Sequence, residues 1–277
     1  MELTHLGHNS RYYSQYNPSL LEPIMRHLPR AAFSTDTSIG YDLWRLYEIT
    51  YLNARGIPCI VMGSIKINAA SQFTVESKSL KLYIGSFTNT KFLSLSHVKE
   101  TIEQDLHKVT ASKVEVELYP PEDMSFMPEK LPGICIDDSA GDIKLDFDTI
   151  NPTLLKYSQS DNDEDKAVSS RTYHSNIVRT LCPVTSQPDF ASVVISYTGR
   201  AIDTTALFAY LCSYRHHQGF HEACTENIYN DLKNVLNPDG LCVAASFTRR
   251  GGIDINPCRA DSLDLTCKCS HIRTLRQ

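Results

Sequence analysis

The 277-residue chain lacks the marks of several large protein classes. No apolar run approaches the ~20 residues a membrane-spanning helix needs. The opening "MELTHLGHNSRYYSQYNPS" has no basic start followed by an apolar stretch, so no export signal is expected. Neither G-x-G-x-x-G nor G-x-x-x-x-G-K-[ST] occurs, which argues against a Rossmann or P-loop nucleotide site. A global basic field is missing as well. The formal net charge is −5 and the pI about 6.0. Nucleic acid and anionic lipid therefore find no broad attraction, and any polyanion site must be local. The nine cysteines form no C-x-x-C pair. Without an export signal, the expectation is a cytoplasmic protein with reduced thiols.

What is present is an ordinary globular composition, 42% hydrophobic and 21% charged, long enough for one large domain or two modest ones. The element pattern reads twice. In the first reading, 43–67 forms two strands turning at Arg55-Gly56, 76–87 and 94–109 are helices, and 113–119 is a strand. In the second, 180–200 is a hairpin, 203–217 and 221–236 are helices, and 241–250 is a strand. Ser86-Phe87 then matches Ser213-Tyr214, and Asp105-Leu106 matches Asp231-Leu232. This predicts an α+β fold of two modules, residues 42–157 and 171–277. A polar, acidic linker at 158–170 joins them, and an extension at 1–41 precedes them.

The copies differ where chemistry is available. Cys182 and Asp189 in the second stand where the first has Asn53 and Cys59. His221-Glu222 has no counterpart in the first copy. A site assembled where the halves meet would explain the division; drift after duplication would too. Each candidate also has a bland reading. Cys182 is a nucleophile if its thiolate is favoured, and otherwise a small core residue. Asp189 is a general acid if its pKa is raised, and otherwise a turn residue. Glu222 can accept two donors from an amidine-like N–H pair, or simply complement a helix start. Ser77-Lys78 and the Arg249-Arg250-Gly251-Gly252 run can grip phosphate, or can be a capped helix start and a strand-ending turn. His217 and His221 are four apart, but the string is not H-E-x-x-H and no third metal ligand is evident. A tail metal site among Cys258, Cys267, Cys269 and His271 suffers from tight C-x-C spacing.

Taken together, "ESKSLKLY", "LCPVTSQPDF", "FHEAC" and "FTRRGGIDINP" resemble the NADPH-dependent 7-cyano-7-deazaguanine reductases, nitrile reductases of queuosine biosynthesis. The resemblance runs from about Asp42 to Gln277, in the order of the longer, tandem-copy subgroup. It implies two tandem tunnelling-fold modules, antiparallel sheets with helices on one face, and subunits joining into a barrel as a homodimer. It implies Cys182 as the nucleophile forming a thioimide and Asp189 as the proton donor. Thr74, Val75, Glu76, His221 and Glu222 would hold the deazaguanine, and Ser77, Lys78, Arg250 and Gly251 the NADPH. No metal, nucleic acid or membrane partner is implied. Cys258 stands where the resemblance calls for an aromatic residue. Two rival readings make opposite predictions: a zinc-dependent GTP or pterin cyclohydrolase-like enzyme using His217, His221 and a thiol, and a non-catalytic binder of deazapurine or RNA.

Overall fold

The computed structural model describes residues 12–141, 145, 147–159, 162–266 and 271–277. Its strands are β1 (Pro23–Met25), β2 (Gly40–Leu52), β3 (Pro58–Asn68), β4 (Phe73–Val75), β5 (Val114–Tyr119), β6 (Ile134–Cys135), β7 (Ser169–Leu181), β8 (Pro188–Gly199), β9 (Gly240–Phe247) and β10 (Ile253–Ala260). The helices are α1 (His27–Arg30), α2 (Ser77–Gly85), α3 (Leu95–Thr110), α4 (Asp163–Lys166), α5 (Thr204–Cys212), α6 (His221–Leu236) and α7 (Leu263–Thr266). Eight strands make one sheet in the order β5-β3-β2-β10-β9-β8-β7-β6, antiparallel except for the short β6–β7 pairing.

The two halves repeat in detail. Each long hairpin slips register once, between Leu46 and Ile49 in the first and between Ser175 and Val178 in the second. Such a bulge bends the strand and increases its twist. The matched Ser and Asp positions have a physical basis. Ser86 and Ser213 each donate to a tyrosine carbonyl one turn back, Tyr83 and Tyr210. Those tyrosines donate their hydroxyls to Asp105 and Asp231 at 2.8 and 2.7 Å, tying each short helix to the long one that follows.

Helix α3 starts at Ser94, whose hydroxyl accepts from His97 N, and stops at Ala111 in the left-handed region. Its Val98, Ile102 and Leu106 lie on one stripe and are fully buried over the first half's sheet. In α6, Ile228 and Leu232 do the same against Val193 and Val243. Each such side chain contributes about 1.5–3 kcal/mol on burial.

One sequence expectation needs correction, and one strand lies beyond those expected. The second hairpin is not 180–200: its first arm is β7, starting at Ser169, and residues 182–187 are its tip. Two of the buried positions along this arm, Ser175 and Thr180, are polar, which hid its period of two. The chain after Arg249-Arg250-Gly251-Gly252 does not leave the sheet. It returns as β10, which pairs with β9 on one side and β2 on the other and fuses the halves into one sheet.

The segment before residue 42 is integrated rather than appended. Strand β1 pairs with β4, Leu20 and Leu21 join the first core, and Arg26 and Arg30 reach buried carboxylates. At the other end, Gln277 donates to Asn256 Oδ1 and Phe247 O, fixing the tail on the back of β9 and β10. Cys258 sits with its sulfur 3.6 Å from that of Cys242, under Tyr41 and Leu265. Cys267 and Cys269 lie outside the described residues. No helix among the described residues is long and apolar enough to cross a membrane.

Candidate active site

The fusion through β10 brings the tip of the second hairpin against the start of α2 in the first half. Between them opens a cleft of about 690 Å³ lined by Val75, Ser77 and Lys78 from one half and Cys182, Asp189, His221 and Glu222 from the other. Arg250 and Gly251 complete its rim, and Trp44, Ile253 and Ile255 form an apolar wall.

Cys182 is held by backbone on both sides. Leu181 N donates to His217 O and accepts, through its own carbonyl, from Gly219 N. Cys182 N donates to Gln187 O, and Ser186, with φ of +55°, returns its N–H to Cys182 O. Pro183 stiffens the start of the turn and removes a donor that would otherwise seek a partner. The thiol is buried, with only 7% of the residue exposed, and faces the cleft.

Asp189 is the second residue of β8, paired with Thr180. Its Oδ1 lies 2.5 Å from Arg250 Nη1 and its Oδ2 3.4 Å from His221 Nε2. Burial alone would raise its pKa. The hydrogen bond and charge of His221, with the Arg250 guanidinium, outweigh that and hold the carboxyl below its ordinary value. A general-acid role is favoured by the opposite direction. His221 stacks flat on Phe247, ring centroids 3.9 Å apart, which fixes the imidazole beside Asp189.

Glu222, in the first turn of α6, accepts from Thr74 Oγ1 at 3.4 Å. Burial, then the nearby Asp42 charge, raises its pKa; Arg26 and His221 oppose this. Beneath it runs a buried ionic chain: Arg26 to Asp42 at 2.5 Å, Asp42 to Arg259 at 2.9 Å, Arg259 and Arg30 to Glu226 at 2.6 and 2.5 Å. This chain fixes the start of β2, the end of β10 and α6 relative to one another. A second chamber of about 450 Å³ adjoins the cleft, lined by Thr74, Arg26, His217, Phe220 and Glu222. Ile24, Pro183, Gly219, Phe220 and Glu222 border both spaces.

Ser77 and Lys78 open α2 as expected, but Glu76 does not face the cleft. Its carboxylate caps α2, accepting from Lys78 N at 2.8 Å and Ser79 N at 2.7 Å, and is fully buried. Lys81, one turn beyond Lys78 on the same face, lines the cleft as well. The i, i+3 spacing of the two lysines carried that signal. Lys78 and Lys81 have no carboxylate partner among the described residues, so the cleft offers two uncompensated cations beside the N-terminus of α2. A dinucleotide's phosphates fit this donor set. His217 and His221 do not converge on one point, the first bordering the second chamber and the second turned to Asp189. Among the described residues no group of three or more His, Cys, Asp or Glu is arranged to hold a metal.

The family model described as "Nitrile reductase, 7-cyano-7-deazaguanine-reductase N-term" matches residues 12–118, and that of a "QueF-like protein" matches 188–263. An NADPH-dependent 7-cyano-7-deazaguanine reductase from Desulfotalea psychrophila is 40% identical over 92% of this chain and 91% of its own length. The chain belongs to that reductase family. The enzyme of the same name from Acinetobacter baumannii is also 40% identical, over 100% of this chain and 99% of its own. The apo form of the archaeosine synthase QueF-Like covers 35% of this chain and 97% of its own at 19% identity, with a TM-score of 0.33, too distant to bear on the site.

Proposed function

We propose that this chain reduces the nitrile of 7-cyano-7-deazaguanine to 7-aminomethyl-7-deazaguanine, consuming two NADPH, in queuosine biosynthesis. The observation that carries this is the meeting of Cys182, Asp189, Glu222 and the lysines of α2 in one cleft of a chain in this family. NADPH supplies hydride, and the chain's residues do the rest.

Glu222 accepts the paired N–H donors of the guanine edge, with Thr74 and His221 beside it. Glu76 acts on substrate only through the α2 and β4 backbone that it anchors. Lys78, Lys81 and Ser77 hold the cofactor phosphates with Arg250 and the Gly251 backbone. The left-handed Gly251 brings main chain close to Lys81: a Cβ there would stand 2.8 Å from its Nζ.

A nitrile carbon is a modest electrophile, and direct hydride addition would leave negative charge on nitrogen. Cys182 sulfur bonding to that carbon divides the barrier. The S–H proton passes to Asp189 and from it to the nitrile nitrogen, giving a neutral thioimide. Each of the two later reductions adds one hydride to carbon and one proton to nitrogen, and the sulfur leaves between them.

The two halves are read as tandem tunnelling-fold modules, residues 42–157 and 171–277, joined by a segment around 158–170. Strand β5 ends the sheet on one side, and β6 with the outer part of β7 on the other. Such edges favour pairing with another chain, and a homodimer closing the sheets into a barrel follows from this reading. The cytoplasm suits the seven free described cysteines, Cys182 among them.

The test is mass measurement of protein incubated with the nitrile and no NADPH. The expected result is a gain of one ligand mass on wild type and none on Cys182→Ala. An adduct that persists in the variant assigns the nucleophile elsewhere.

A further inference from the structure

We propose that Arg250 is a positioning residue that passes between Asp189 and the dinucleotide phosphates, so that Asp189 is a base in the cofactor-free site and an acid in the loaded one. This rests on the function proposed above and adds a link between cofactor occupancy and the direction of proton transfer.

The geometry separates the two partners by exposure. Asp189 is 4% exposed and fixed in β8, whereas the Arg250 side chain is 45% exposed and reaches in from the rim. Its backbone belongs to a tight turn closed by Arg250 N to Ile253 O at 2.9 Å and Ile253 N to Arg250 O at 3.2 Å. Gly251 and Gly252 follow at φ +59° and +80°, so the turn has no β-carbons to brace the guanidinium. Asp189 is the only hydrogen-bonding partner of that guanidinium among the described residues. The neighbouring Arg249 turns away to stack on Tyr47.

The cleft around this pair holds cations in excess. Lys81 sits against Gly251, and Lys78 lies one turn back on α2, neither with a carboxylate of its own. A polyphosphate held by these lysines adds negative charge beside a guanidinium whose planar fork suits phosphate as well as carboxylate. Transfer of Arg250 to the phosphate leaves Asp189 with His221 alone. The groups around the carboxylate are His221, Glu222 and Cys224 from α6, Cys182 from the hairpin tip, and Lys78 and Lys81 across the cleft. With Arg250 removed, one of the two cationic partners that favour the ionised carboxylate is gone, burial counts for more, and Asp189 takes a proton more readily than in the cofactor-free site.

The two states match the two kinds of step. In adduct formation the S–H bond breaks and its proton goes to Asp189. The S–C bond forms, and one π pair of the nitrile becomes a nitrogen lone pair that takes this proton. No electrons are exchanged with the dinucleotide, and Asp189 must begin unprotonated. In each reduction, hydride from NADPH reaches carbon while Asp189 gives its proton to nitrogen, so it must begin protonated.

The experiment is the pH dependence of the adduct-formation rate, read by mass spectrometry in wild type, Arg250→Met and Arg250→Lys. Each protein is measured without dinucleotide and with saturating NADP+, which cannot reduce the adduct. In wild type, NADP+ moves the acid limb of the profile upward by about one to three pH units, the span one nearby opposite charge commands. Arg250→Met shows the raised limb from the start and NADP+ shifts it no further, while Arg250→Lys keeps the shift. A wild-type limb that NADP+ leaves in place overturns the proposal, as does an equal shift in Arg250→Met. No adduct at any pH in wild type overturns the thioimide reading, and this proposal with it.

Discussion

Replacing Glu222 by Gln tests the base-recognition half of the site. Glu222 is 6% exposed at the first turn of α6. As a carboxylate it offers two acceptors to the N1–H and amino group of a guanine edge; the amide keeps one and sets an N–H against the other donor. A hydrogen bond to a charged group contributes about 1.5–3 kcal/mol, and a buried donor left facing a donor costs about 1–3. A loss of about 2.5–6 kcal/mol follows, at least roughly 60-fold in Kd. The measurement is a calorimetric titration with the nitrile in a Cys182→Ala background, where no bond forms to sulfur.

The pH dependence sharpens this test. Burial and the Asp42 charge raise the Glu222 pKa, and under the proposed function only its ionised form binds the base. Affinity in the Glu222 parent is therefore flat above that raised pKa and falls tenfold per pH unit below it; in Glu222→Gln this slope disappears. The stability sign is opposite. A carboxyl whose folded pKa exceeds its unfolded value supports the fold below the unfolded value, and that support is lost as pH rises through the folded one. Wherever Glu222 is ionised it thus strains the free protein, and Glu222→Gln should not lower Tm there. Binding within about threefold of the parent, or a slope that survives, would refute the carboxylate's role.

Two other outcomes follow from the placement of residues. Lys78→Ala should raise the KM for NADPH about 10- to 100-fold, one charged contact's worth, with adduct formation intact; a lost adduct would move Lys78 to the substrate side. At NADPH well below the raised KM, co-expressed Cys182→Ala and Lys78→Ala chains should not restore each other in mixed assemblies, because the thiol and the lysines that face one cleft belong to one chain; turnover above that of Lys78→Ala alone would mean that the site is shared between chains.

The sequence was legible where local chemistry writes a period. The stripe Val98, Ile102, Leu106 gave α3 through the helical period, and the repeated Ser and Asp positions gave the two halves, because each pair ties neighbouring helices that are close in sequence. What it hid is long-range. The pairing of β10 with β2 joins residues about two hundred positions apart, and nothing in "GGIDINP" names that partner. The glycines marked the turn but not the return. Glu76 was ambiguous for a related reason: a carboxylate before "SKS" fits a cap and a ligand contact equally, and the fold shows that both its oxygens accept from the start of α2. Arg26 and Arg30 left no pattern, since a buried ion pair is a match of two distant residues rather than a motif.

The asymmetry between the halves now has a physical account. In the first hairpin, Asn53 Oδ1 accepts from Arg55 N at 2.9 Å and Ile57 N at 3.1 Å, so its side chain is used up in closing the turn. In the second, one residue longer at the tip, the turn closes through backbone bonds and the left-handed Ser186, which frees position 182 to point a thiol into the cleft. The helix starts divide the other way. Both α2 and α5 are capped by a carboxylate, Glu76 and Asp203, but only α2 carries lysines on its first turns and only α2 meets the other half across β10. Since β10 is the single strand that joins the halves, one chain has one such junction. A duplicated module with both functions on each copy would leave half of them facing nothing within the chain. Dividing them, the thiol on one tip and the cations on the other helix, fits a fold that brings those two places together only once.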